Sequence, residues 1–172
     1  MTALDDLLRA SGLPRKESAS GTSAGVKKIH LHAGQLYATA EPAEIITILG
    51  SCVAVCLFEA RRGIGGINHF MLPTDSPTVN PRYAGHACDL LLGQLLALGA
   101  RRANLSAKIF GGASVLHIGP NTGAELGTRN IEAARAKLAL EQIPIVGEDV
   151  GGVRGRKLVF LTADGTALIR QV

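Results

Sequence analysis

"LGSCVAVCLFEARRGIGGINHFMLP", residues Leu49–Pro73, decides how this chain is read. Two apolar runs, Val53–Glu59 and Ile64–Leu72, flank Ala60-Arg61-Arg62-Gly63 and predict two strands joined by a short turn. Antiparallel partners have position numbers with a constant sum, and side chains directly opposite share a face. A turn centred between Ala60 and Arg61 places Cys52 opposite His69. A loop centred on Arg61-Arg62 keeps them on one face, one diagonal step apart. Only a one-residue bulge separates them, and Gly65-Gly66 in the second strand weakens the register because glycine pairs invite bulges.

A thiol beside an imidazole has an obvious chemistry. The ring takes the thiol proton and leaves a nucleophilic sulfur. Gly50 lets the backbone turn sharply before Cys52, and free N–H groups around Gly50 and Ser51 are placed to hold the oxyanion of an acyl-transfer intermediate. The ring needs an orienting partner, for which Thr47, Ser51 and Asn68 are the nearby candidates. Asn68 faces away from His69 if the strand is regular. The plainer alternative stays open at this point: "SCVAVCL" also reads as a core strand, and Cys52 and Cys56 share a face.

The rest of the chain bounds these readings. It has 172 residues, 47% of them hydrophobic, which suffices for one domain with a proper core. No apolar run reaches the length of a membrane span. The N-terminus lacks a cationic start followed by an apolar stretch, so the three cysteines (Cys52, Cys56, Cys88) are expected to be reduced thiols in the cytoplasm. The net charge of +4 comes from scattered pairs, Lys27-Lys28, Arg61-Arg62 and Arg101-Arg102, and aromatics are only 3%. That argues against nucleic acid and leaves a mild preference for an acidic protein partner. Cys52 and Cys56 are spaced too widely for a zinc knuckle, and no second Cys/His pair completes a tetrahedral set, so no metal is expected. His30 and His32 share a strand face and read as exposed polarity.

Residues 1–26 read as an N-terminal extension: "ALDDLLRA" makes at most two helical turns, and the following "SGLPRKESASGTSAG" reads as a flexible linker. The compact domain is expected over residues 27–172. Within it, "VKKIHLHAGQLYATA" predicts one or two strands broken at Gly34, and "EIITIL" a strand stopped by Gly50-Ser51. "AGHACDLLLGQLLALGA" predicts a helix with Leu91, Leu92, Leu95 and Leu96 at helical spacing and Gly99 as its stop. "LSAKIFGGA" is a further strand, and "TRNIEAARAKLALEQ" a helix with Thr128 or Asn130 as cap. "IPIVGEDV" and "RKLVFLTADGTALIRQV" close the chain, the latter as a hairpin turning at Asp164-Gly165. The expected class is α/β, a mixed sheet with helices packed on it.

"TILGSCVAVCLF", "GGINHFMLP", "KIFGGAS" and "GTRNIEAARAKL", in this order, closely resemble the CheD family, the chemoreceptor glutamine deamidases of bacterial chemotaxis. The resemblance runs from about residue 29 to the C-terminal strands. It implies a layered α/β sandwich similar to certain deamidating toxins, with papain-like chemistry on an unrelated scaffold. It implies a hydrolase that converts glutamines on receptor cytoplasmic helices to glutamate, with methyl esters as further substrates and no cofactor. Carried onto this sequence, Cys52 is the nucleophile, His69 the base, and Thr47 the nearest candidate for the threonine that completes the family's triad. Gly50 and Ser51 would supply oxyanion donors. The loops Phe110–Ser114 and Gly119–Asn130 would wall the site, with Gly111 and Gly112 letting backbone approach the substrate. A CheC-type phosphatase is an implied partner. The alternative is a regulatory module that binds such a phosphatase without catalysis.

Overall fold

The structure, a computed structural model, describes residues 25–114 and 124–172. The expected N-terminal extension therefore lies outside the described residues through position 24, as do Gly119 to Gly123 of the glycine-rich loop. Nine strands are described: β1 (Lys27–His30), β2 (Leu36–Thr39), β3 (Ala43–Leu49), β4 (Val53–Glu59), β5 (Ile64–Phe70), β6 (Leu105–Gly111), β7 (Ile145–Val150), β8 (Arg156–Leu161) and β9 (Thr166–Gln171). Two α-helices join them, α1 (Ala84–Ala97) and α2 (Ala124–Leu140).

The strands form two mixed sheets, one ordered β1-β3-β8-β9 and the other β2-β5-β4-β6-β7, with β1–β3 and β6–β7 parallel and the remaining pairs antiparallel. Both helices pack on the five-stranded sheet. The layers are thus helices, five-stranded sheet and four-stranded sheet, the layered α/β sandwich that the family resemblance implies, with two sheets where the strand pattern alone predicts one.

Burial on both faces explains why β4 and β5 read as continuous apolar runs rather than as an alternation. From β4, Val53, Val55 and Leu57 enter the core beneath the helices, with Leu91, Leu95, Ile131 and Leu138. Ala54 and Cys56 enter the core between the sheets, with Ile45, Ile67, Phe110 and Phe160. The segment 26–40 divides at Gly34 (φ +81°), and its two halves join different sheets.

The β4–β5 pairing is regular from Val53↔Phe70 to Glu59↔Ile64, with a four-residue loop Ala60–Gly63. Gly65-Gly66 does not bulge. A Cβ on Gly66 would lie 2.7 Å from the Tyr37 carbonyl and 2.8 Å from Leu91 Cδ1, so glycine there lets β2 and α1 approach the strand. Helix α1 ends as expected at Gly99 (φ +102°): Ala100 N–H bonds to Leu95 O and Gly99 N–H to Leu96 O, a Schellman closure.

Two local expectations are corrected. The β8–β9 loop has four residues, Thr162–Gly165, rather than a two-residue Asp-Gly turn, because Leu161 pairs with Thr166. Buried Thr162 explains the longer loop: its Oγ1 accepts the Ala43 N–H at 2.8 Å and ties the turn to β3. Helix α2 is described from Ala124, so Thr128 and Asn130 lie inside it rather than at a cap position, and residues 124–130 are helix rather than loop.

Gly66→Ala is expected to destabilise the protein by about 1–3 kcal/mol through overpacking. Urea unfolding measures this, and an unchanged midpoint would contradict the close approach of β2 and α1.

Candidate active site

Strand parity sends His69 from β5 and Thr47 from β3 into the space between the sheets, where both are buried. There Thr47 Oγ1 lies 2.9 Å from His69 Nδ1 and donates to the Leu31 carbonyl at 2.8 Å. A hydroxyl has one proton. Because the Leu31 carbonyl only accepts, that proton goes to it, and the hydroxyl meets the ring as an acceptor. Nδ1 therefore carries the ring hydrogen, and Nε2 presents a lone pair. Nε2 is buried and has no hydrogen-bond partner among the described residues.

Cys52 immediately precedes β4 and is half-buried, whereas Cys56 and Cys88 are buried. The β4–β5 register places Ala54 opposite His69; Cys52 lies just outside the paired residues, two positions before Ala54, and its sulfur makes no hydrogen bond to the ring. The register is that of a loop centred on Arg61-Arg62. Asn68 points to the opposite side as expected, where its Oδ1 accepts the Val55 N–H at 2.9 Å.

Burial sets the protonation states. It raises the Cys52 thiol above its ordinary value, partly offset by the residue's own backbone N–H, which faces the sulfur. It lowers His69 from 6.5 to about 4, with His32 adding a smaller repulsion. The resting pair is a neutral thiol and a neutral imidazole. Cys88 is pushed up to about 12 and Cys56 higher still, both chiefly by burial, which leaves Cys52 as the most readily ionised thiol.

The turn before Cys52 is held through its carbonyls. Gly50 O accepts the Ala113 N–H and Cys52 O the Gly112 N–H, both at 2.8 Å. Ser51 O accepts Asn130 Nδ2 at 2.9 Å. Gly111 (φ +105°) and Gly112 (φ +70°) make this possible. A Cβ on Gly111 would lie 2.2 Å from Cys52 O, and one on Gly112 would lie 2.5 Å from Ile131 Cγ1 and 2.9 Å from Gly127 O. The close approach these glycines allow is to the Cys52 turn and to α2, and the Gly112 N–H is already committed. The amides of Ser51 and Cys52 are the better oxyanion candidates.

Two residues were not singled out as site residues by the sequence reading. Asn130 is fully buried and donates through one nitrogen to both Ser51 O and Met71 O, each at 2.9 Å. A signal for it exists: Asn130 is a polar residue on the buried stripe Gly127, Asn130, Ile131, Ala134, Leu138 of α2. Arg156 is buried at the start of β8, and its guanidinium donates to Gly111 O and Gly151 O at 2.8 Å each. Nothing in the spacing of the sequence marks it.

Among the described residues, no group of three His, Cys, Asp or Glu side chains is placed to hold a metal ion. No helix of the described residues is long and apolar enough to cross a membrane.

Comparison with known proteins agrees with the motifs. A family model described as "CheD chemotactic sensory transduction" matches residues 71–171. The chain is 47% identical over 150 residues to a probable chemoreceptor glutamine deamidase CheD 1 of Anaeromyxobacter dehalogenans, covering 86% of each. It is 44% identical over 146 residues to a probable chemoreceptor glutamine deamidase CheD of Trichlorobacter lovleyi, covering 84% of this chain and 90% of that protein. A similar protein of Thiobacillus denitrificans is 42% identical over 145 residues, covering 81% and 71%. The family model begins just beyond His69, but an alignment covering 86% of the chain necessarily spans both Cys52 and His69. With a match over most of the chain, this protein belongs to the CheD family.

Proposed function

We propose that this protein is a cysteine-dependent deamidase that hydrolyses glutamine side chains on chemoreceptor cytoplasmic helices to glutamate. One observation supports the mechanism: the Thr47 hydroxyl, its proton given to Leu31 O, fixes His69 with an unpartnered Nε2 lone pair on the strand that pairs with the one following Cys52. The names of the relatives supply the substrate class.

His69 Nε2 takes the thiol proton as the sulfur attacks the side-chain amide carbon. Proton transfer and attack are coupled, because neither partner is charged at rest. The tetrahedral oxyanion faces the amides of Ser51 and Cys52. Collapse breaks the carbon–nitrogen bond, and His69 delivers its proton to departing ammonia. Water, deprotonated by the same nitrogen, then attacks the thioester and releases glutamate and the thiol. Thr47 keeps the ring oriented, and no cofactor is needed. Methyl esters would follow the same path with methanol leaving. Cys52 stands in a bend outside the strand and is partly exposed, which supports access by the surface of a receptor helix. The reading places the protein in the cytoplasm with the receptor helices, and gives it a CheC-type phosphatase as a competing partner.

Incubation with a receptor cytoplasmic fragment should raise the mass of specific glutamine peptides by about one unit with wild type and not with Cys52→Ala. Identical spectra would discard the enzyme reading.

The resting protonation states predict a pH profile. Alkylation of Cys52 by iodoacetamide should keep rising through pH 8 to 10, because the thiol pKa is raised. A plateau reached below about pH 6 would mean a preformed thiolate–imidazolium pair instead.

His69 also links stability to pH. Its folded pKa of about 4 lies below the unfolded value of 6.5, so below pH 6.5 the unfolded chain binds a proton that the folded protein refuses. Stability should fall between pH 6.5 and 4 by roughly 3 kcal/mol more in wild type than in His69→Asn. Denaturant unfolding across that range measures the difference, and parallel slopes would contradict a neutral buried ring.

A further inference from the structure

Asn130 meets two carbonyls that can only accept, so the atom facing both Ser51 O and Met71 O is its amide nitrogen and each of its hydrogens is used. A ring nitrogen or a hydroxyl carries one hydrogen at most, so neither could serve both carbonyls from one atom. The consequence lies in the peptide plane. No described peptide bond is cis, and in a trans peptide the C=O and N–H point in opposite directions. With Ser51 O drawn toward α2, the N–H of Cys52 is turned to the other side, which is the side of the cysteine sulfur. Gly50 O and Cys52 O, held by the N–H groups of Ala113 and Gly112, fix the peptide planes on either side. The second bond of Asn130 anchors Met71, two residues beyond His69, to the same nitrogen.

We propose that Asn130 is a positioning residue of the reaction: it aims the Cys52 backbone N–H at the developing oxyanion and fixes that amide relative to the strand bearing His69. This rests on Cys52 being the nucleophile. It differs from a packing role because two kinds of chemistry at the same sulfur should respond differently. Deamidation passes through an oxyanion. Alkylation by iodoacetamide forms a carbon–sulfur bond as iodide leaves and the thiol proton is lost, with no oxyanion at any stage.

The test compares full-length wild type with Asn130→Ala and Asn130→Asp, measuring kcat and KM on the receptor fragment and the rate of Cys52 alkylation. The nearly isosteric Asp variant carries the test if the Ala variant fails to fold, and continued protection of Cys56 and Cys88 from the reagent reports folding. Loss of a single oxyanion donor lowers kcat by about 10²–10³, so misaiming one is expected to lower it about 10- to 100-fold. KM and the alkylation rate should stay within about 3-fold. For Asn130→Asp, kcat relative to wild type should recover partly as pH is lowered, because a protonated carboxyl regains one donor. Unchanged kcat, a fall in alkylation equal to the fall in kcat, or a loss confined to KM would each overturn the role of Asn130. A wild type that is alkylated but leaves the fragment's glutamines intact would instead overturn the deamidase reading.

Discussion

The hydrogen bond between Thr47 and His69 joins the two sheets through buried polar side chains. Around it the interlayer is apolar, built from Ile45, Leu49, Ile67, Leu158 and Phe160. An imidazole in such a setting is stable only if neutral and only if the nitrogen bearing its proton is satisfied. The Thr47 hydroxyl meets that requirement while passing its own proton to Leu31 O. The same burial that removes the ring's charge therefore also selects its tautomer, and the free lone pair is left on Nε2. Base strength and orientation come from one constraint, the apolar fit of one sheet on the other.

A second polar crossing lies at the same end of the sandwich. Arg156 leaves the four-stranded sheet and binds the carbonyls of Gly111 and Gly151, bringing the end of β6 under control of the opposite layer. The Gly112 N–H in turn holds the Cys52 carbonyl, and Gly112 packs so closely on Gly127 that a Cβ on Gly127 would lie 2.4 Å from Gly112 O. Helix α2, the end of β6 and the turn at Cys52 are thus locked together by backbone contacts that side chains would prevent. The glycines that look like a substrate loop in the sequence bring three backbone segments into contact around Cys52.

The hairpin bearing Cys52 and His69 was legible because its evidence is local. Two apolar runs and a four-residue loop limit the register to a few choices, and two of the three considered keep the pair on one face. The end of α1 was legible for the same reason, since Gly99 meets a need of the adjacent turn. The start of α2 was misplaced because capping residues are also ordinary helix residues. Asn130, which resembles a cap, is instead drawn into the protein interior by two carbonyls far away in sequence. The Asp164-Gly165 turn was lengthened by Thr162, whose bond to β3 outweighs the local preference for a two-residue turn.

By itself the sequence determined the strands β4 and β5, their pairing to within a few registers, and the family motifs. Periodicity and turn length act within a few residues and leave their mark in the order of the letters. Tertiary structure alone decided which of the nearby hydroxyls reaches His69, and that Asn130 and Arg156 bind the backbone carbonyls around Cys52. Each of those depends on a contact between segments that only the stacking of the layers brings together, and a hydrogen bond of 2.9 Å between residues 79 positions apart leaves no period in the sequence to read.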